Sequence, residues 1–73
     1  MSDLYNNKDI ADSYVNRSVH ITTQCMRVDV KGVIEKYDNF LGEIIYFLKT
    51  KKGGRIMIGA KSPGLNIEII EGI

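Results

Sequence analysis

The stretch that decides the fold is Val28 to Leu48, VDVKGVIEKYDNFLGEIIYFL. It holds the densest run of strand-forming and apolar residues in the chain. Val28, Val30 and Ile34 fall on one face of an alternating strand, and Arg27, Asp29, Lys31 and Glu35 fall on the other. Gly32 interrupts the apolar face, which in a strand marks a bend or a close backbone approach. Tyr37-Asp38-Asn39-Phe40 reads as the junction to a second strand, Leu41 to Leu48, apolar on both faces apart from Gly42 and Glu43. That pattern predicts a bent hairpin whose second strand is central and covered on both sides.

Outward from the hairpin the elements are short. Towards the C-terminus, Lys49 to Arg55 is a turn with two glycines and four basic residues. Arg55 to Ala60 reads as a strand, Lys61-Ser62-Pro63-Gly64 as a turn with proline at i+1 or i+2, and Leu65 to Glu71 as a last strand. Towards the N-terminus, Ser18 to Gln24 alternates as a strand, with Val19, Ile21 and Thr23 on one face, and Cys25-Met26 is the tip leading into the hairpin. A helix is predicted over 8–16. Asn7 caps it, Asp9 lies in its first turn, and Ile10, Ala11, Tyr14 and Val15 share one face. Asn16 ends it in the left-handed conformation, with Arg17 placed near the last carbonyls. Residues 1–7 are polar and expected to fray, with Leu4 and Tyr5 able to pack back.

The expected architecture is mainly β: a short N-terminal helix, then a five-stranded, strongly bent antiparallel small barrel over 18–71, all in one domain over residues 1–73. A chain of 73 residues buries only about 60% of its unfolded surface, so oligomerisation is an expected source of further burial. No apolar run approaches the roughly 20 residues needed to span a bilayer, and no signal-peptide pattern is present. The single cysteine excludes an intrachain disulfide and points to a reducing compartment, the cytoplasm. A net charge of +1 predicts no polyanion partner by itself, so any nucleic-acid site must come from local clustering.

With helix and strands in this order, the chain resembles the Sm-like family, which includes Sm/LSm proteins and bacterial Hfq. The first Sm motif is matched by Gly32-Val33-Ile34, Asp38-Asn39-Phe40-Leu41 and Gly42 with Ile44-Ile45. The second is matched by Ile56-Met57-Ile58-Gly59-Ala60, followed by Leu65 to Ile70. The resemblance covers nearly everything from Ile10 onward. It implies a homo-oligomeric ring in which strand 55–60 of one subunit pairs with strand 65–71 of the next. Unpaired apolar edges are an aggregation liability, and a closing head-to-tail interface removes it. The resemblance also implies binding of single-stranded RNA at pore-side loops, in RNA processing or regulation. Its site residues would be Asp38, Asn39, Phe40, Gly42, Gly59 and Lys61, with Phe40 stacking on a base and Asp38 fixing the loop. The sequence departs from the family pattern where Gly42 replaces a base-contacting Asn and Gly59 replaces an Arg.

Other readings of the same residues stand beside these. Phe40 also fits a corner aromatic packed on the barrel or on a neighbouring subunit. Asp38-Asn39 fits a turn device bonding the backbone. Lys49, Lys51, Lys52 and Arg55 form either a secondary basic surface for phosphates or a solvated loop. His20 has no second His or Cys at ligand spacing, and no nucleophile–base pair emerges, so neither a metal, a cofactor nor an enzymatic activity is expected. The alternative function is a structural or protein-interaction ring without RNA readout.

Overall fold

The computed structural model describes residues 4–24 and 28–71. Helix α1 (Lys8–Tyr14) precedes five strands: β1 (Ser18–Thr22), β2 (Asp29–Phe40), β3 (Glu43–Thr50), β4 (Arg55–Gly59) and β5 (Asn66–Ile69). The side chain of Asn7 starts the helix, accepting hydrogen bonds from the backbone N–H of Asp9 (2.8 Å) and Ile10 (3.3 Å). Val15 ends the helix earlier than the alternation of apolar residues suggests, and Asn16 then takes the left-handed φ of 65°. Arg17 does not serve the helix carbonyls with its side chain. Its guanidinium donates to Glu71 Oε1 at 2.7 Å, tying the helix exit to the end of the last strand.

All neighbouring strands are antiparallel, in the order β4-β3-β2-β1-β5. The mainly β expectation therefore holds, with one short helix and a five-stranded antiparallel sheet. The sheet is not closed. β5 makes its pairs with β1, from Val19↔Ile69 to Thr22↔Asn66, and β4 makes its pairs with β3. The two short strands are the sheet's two ends and do not pair with each other.

The hairpin differs from expectation in three ways. β2 continues through Phe40, so Tyr37 to Phe40 are strand residues and the turn is Leu41-Gly42. Both turn residues have positive φ, 52° and 83°, as a type I′ hairpin turn requires. The middle strand is β2 and not β3. β3 is also covered on one face only: Ile44, Tyr46 and Leu48 are buried, while Ile45 and Phe47 are half-exposed. Finally, the pairing shifts between Ile34 and Lys36, leaving Glu35 as the extra residue of a β-bulge. Before the bulge Ile34 faces the core opposite Leu48. After it, Tyr37 and Asn39 lie opposite the buried Tyr46 and Ile44, and Asp38 and Phe40 point outward.

Gly32 carries out the close approach its position predicts. It pairs with Val19 on one side and Thr50 on the other, and a Cβ there would run into the Lys49 carbonyl. The tip expected at Cys25-Met26 lies outside the described residues. The turn after β4 places Pro63 at i+1 and Gly64, with φ 70°, at i+2, with Leu65 N–H donating to Ser62 O, the arrangement of a type II turn.

The core lies on the inner face, where Val19, Ile21, Ile34, Tyr46 and Leu48 are fully buried. Each such side chain contributes about 1.5–3 kcal/mol by leaving water. Helix α1 adds Ala11, which is also fully buried. The segment before the helix is anchored by Tyr5. Its carbonyl accepts from the Tyr46 hydroxyl at 2.6 Å, and its own hydroxyl accepts from Ile67 N–H at 3.1 Å. Burial pushes the Tyr46 hydroxyl up to about 12. No helix among the described residues is long and apolar enough to cross a membrane.

Candidate nucleic-acid interface

The bulge and the type I′ turn decide which side chains reach the outer face at the far end of the hairpin. Cross-strand pairing sets them in rows across β2, β3 and β4. One row is Lys36, Phe47 and Met57; the next is Asp38, Ile45 and Gly59. Phe40 follows, opposite Glu43 at the hairpin end. Asp38, Asn39, Phe40, Ile45, Phe47, Met57 and Gly59 line one shallow depression. Ile45 lies at its centre, and Gly59 closes one side beneath the Glu43 carboxylate. Phe40 and Met57 stand on its rim, 66% and 69% exposed. The Lys36 ammonium lies 4.9 Å from the centroid of the Phe47 ring, a cation–π contact at the opposite wall.

Polar contacts around this corner hold the backbone. Asn39 Oδ1 accepts from Gly42 N–H at 3.3 Å, so Asn39 acts as a turn device. Asn6 clasps the same tip from outside, with Nδ2 donating to Gly42 O (3.1 Å) and Oδ1 accepting from Ile44 N–H (2.7 Å). Glu43 crosses to the loop after β4, where its carboxylate accepts from Lys61 N–H at 2.9 Å. That carboxylate occupies the space a Cβ on Gly59 would need. Gly59 is thus required by Glu43. Asp38 differs from these: its side chain is exposed, and among the described residues it has no ion-pair partner.

The structure therefore brings Asp38, Asn39, Phe40 and Gly59 into one site. Lys61 follows one residue beyond Ala60, with its backbone tied to Glu43 and its side chain exposed. Gly42 contributes only the turn conformation, φ 83° with open space around it. The basic residues do not gather into one surface. Arg55 donates through Nε to Glu35 at 3.1 Å, and Lys49 pairs with Arg55 and Val33 across the sheet. Lys51 and Lys52 turn instead towards Lys31, with which they line a separate depression beside Asp29 and Thr50. Lys31 lies directly across from His20, and Glu68 flanks His20 from β5. The Asp29 carboxylate pairs with His20 Nε2.

No family model, curated protein or solved structure matches the chain.

Ile45, Phe47, Met57 and Lys31 belong to these two surfaces and were absent from the residues expected there. The signal for the first three was present. A strand apolar on both faces, next to RIMIG in which Met57 alternates with Ile56 and Ile58, predicts an apolar outer row once only one face is covered. Lys31 carried no such signal, because its approach to Lys51 depends on the backbone contact from Lys51 N–H to Lys31 O at 3.2 Å.

Proposed function

We propose that this chain is a divergent Sm-like protein that assembles into homo-oligomeric rings and binds single-stranded RNA at the corner carrying Phe40. The observation that carries this reading is the exposed ring of Phe40 on the apolar depression it shares with Ile45, Phe47 and Met57, with Asp38 and Asn39 beside it. Single strands suit such a surface, because every base presents a π-face and stacking is worth about 1–3 kcal/mol per base. Ring assembly is supported by the open sheet, whose two edge strands are β4 and β5. Pairing β4 with the β5 of a neighbour would satisfy both edges.

A second reading is a ring that serves as a structural or protein-interaction hub. It is favoured by the exposed apolar side chains of the same corner, Phe40, Leu41 and Met57, and by the absence of any side chain at Gly42 and Gly59. Titration with short oligo-U and oligo-A at low salt separates the two. Binding, with Phe40→Ala costing about 1–3 kcal/mol, supports RNA recognition. Absence of binding to either oligonucleotide by a folded oligomer supports the hub.

A further inference from the structure

The corner that would stack a base also determines which base it prefers. This inference rests on the RNA-binding reading and deepens it. The depression offers a planar aromatic rim (Phe40), an apolar floor (Ile45) and a second apolar wall (Phe47 and Met57). The polar groups nearby are mostly committed. Asn39 Oδ1 holds the turn through Gly42 N–H, and the Glu43 carboxylate holds Lys61 N–H. The carboxylate of Asp38 is left: exposed, on the same lining, and two residues from Phe40 on one face of β2. Alternate residues on a strand face stand about 7 Å apart, so a base stacked on Phe40 turns an edge towards Asp38.

A carboxylate only accepts hydrogen bonds, through two oxygens side by side. It selects a ligand edge with two adjacent donors. Guanine has that edge in N1–H and N2–H₂. Uracil presents N3–H between two carbonyl oxygens, which face the carboxylate unfavourably. Adenine and cytosine each present one amino donor beside an acceptor ring nitrogen. We infer that Asp38 makes this corner a guanine-selective single-stranded RNA site, with Phe40 as its stacking platform. An arginine-bearing apolar peptide shares the two-donor chemistry, but the exposed flat ring of Phe40 suits a stacked planar base better than a side chain on a backbone.

The test is a fluorescence-anisotropy titration of the full chain with short single-stranded oligouridylates carrying guanosine, adenosine, cytidine or inosine at alternate positions. Guanosine is expected to tighten binding about tenfold over uridine, the worth of one bidentate contact. Inosine, which keeps N1–H and lacks the N2 amino group, should forfeit most of that gain. Asp38→Asn replaces one acceptor with a donor and should shrink the difference between guanosine and uridine. Guanosine binding no tighter than uridine, or a preference that survives both inosine and Asp38→Asn, overturns the inference and leaves the RNA-binding reading standing. A folded protein that binds none of the oligonucleotides overturns both. Binding of an arginine-containing apolar peptide in place of RNA does the same, in favour of a protein partner.

Discussion

Two backbone positions in the hairpin make opposite demands on a side chain. Gly32 has no room for one, because the Lys49 carbonyl stands where a Cβ would go. Gly32→Ala should therefore cost about 1–3 kcal/mol, read as a lowered urea midpoint at unchanged slope. Leu41 has all the room it needs, 88% exposed, but holds a left-handed φ of 52° that costs a branched residue about 1 kcal/mol. Leu41→Asn converts the turn to Asn-Gly, the preferred type I′ pair, and should raise stability by about that amount in the same assay. Tyr46 supplies a pH response. Burial raises its folded pKa to about 12 from an ordinary value of 10, so the unfolded chain loses the proton first. Stability from this group is complete below pH 10 and falls as pH rises towards 12. Tyr46→Phe should flatten that alkaline limb, followed by circular dichroism. Its neutral-pH stability should drop by about 1 kcal/mol, because the Tyr5 carbonyl is left without its donor. Gly32 was legible in the sequence because a glycine set among apolar strand residues weakens the strand unless the backbone needs the space. Leu41 was not. No propensity places leucine at positive φ, whereas Asp38-Asn39 are common turn residues, and so the turn was expected earlier.

At the scale of elements, alternation identified β1, β5 and the start of β2, an apolar run identified β3, flanking turns identified β4, and the Asn7 cap identified the helix. The bulge at Glu35 was invisible, since an extra residue changes pairing without changing composition. It matters for the site because unbroken alternation from Ile34 would have sent Asp38 and Phe40 into the core. The turn between β3 and β4 shows the same dependence on geometry. Thr50 and Gly54 close it, with Thr50 N–H donating to Gly54 O at 2.8 Å. That closure directs Lys51 and Lys52 to Lys31 and away from Lys49 and Arg55. If RNA reaches this turn, Lys51→Gln with Lys52→Gln should reduce the dependence of log K on log salt by about 0.7 per lysine, without altering base preference. Arg55→Gln should leave the slope nearly unchanged, since Glu35 already pairs with that guanidinium. A salt series of binding isotherms on the three proteins checks both statements.

For the whole molecule the informative property is an open sheet with unequal, very short ends. Isolated β4 and β5 have five and four residues, and Ile69 on β5 is 44% exposed. If β4–β5 pairing joins subunits, light scattering after size exclusion will give a multiple of 8.2 kDa, and Ile69→Asp will shift the protein towards the single-chain mass while retaining its circular dichroism. A wild-type mass of one chain at micromolar concentration removes the ring. Closure was not legible in the sequence, because it depends on whether two distant edges meet and no local pattern records that. The site was half legible: Phe40, Asp38 and Gly59 were named through the resemblance of their segments to the Sm-like motifs. Their apolar neighbours, and the lack of an ion-pair partner for Asp38 among the described residues, emerged only with the rows across β2, β3 and β4.

Glu35 also gives the hairpin an odd–even rule. Inward positions on β2 are even-numbered up to Ile34 and odd-numbered from Tyr37 onward. Insertion or deletion of a single residue between Ile34 and Tyr37 reverses parity for everything beyond it, exchanging Asp38 and Phe40 with Tyr37 and Asn39. Chain length in this segment therefore carries information that residue identity does not. Two chains aligned here without a gap present the same surface only if both keep the bulge, and any redesign of the corner has to be counted from Glu35 outward.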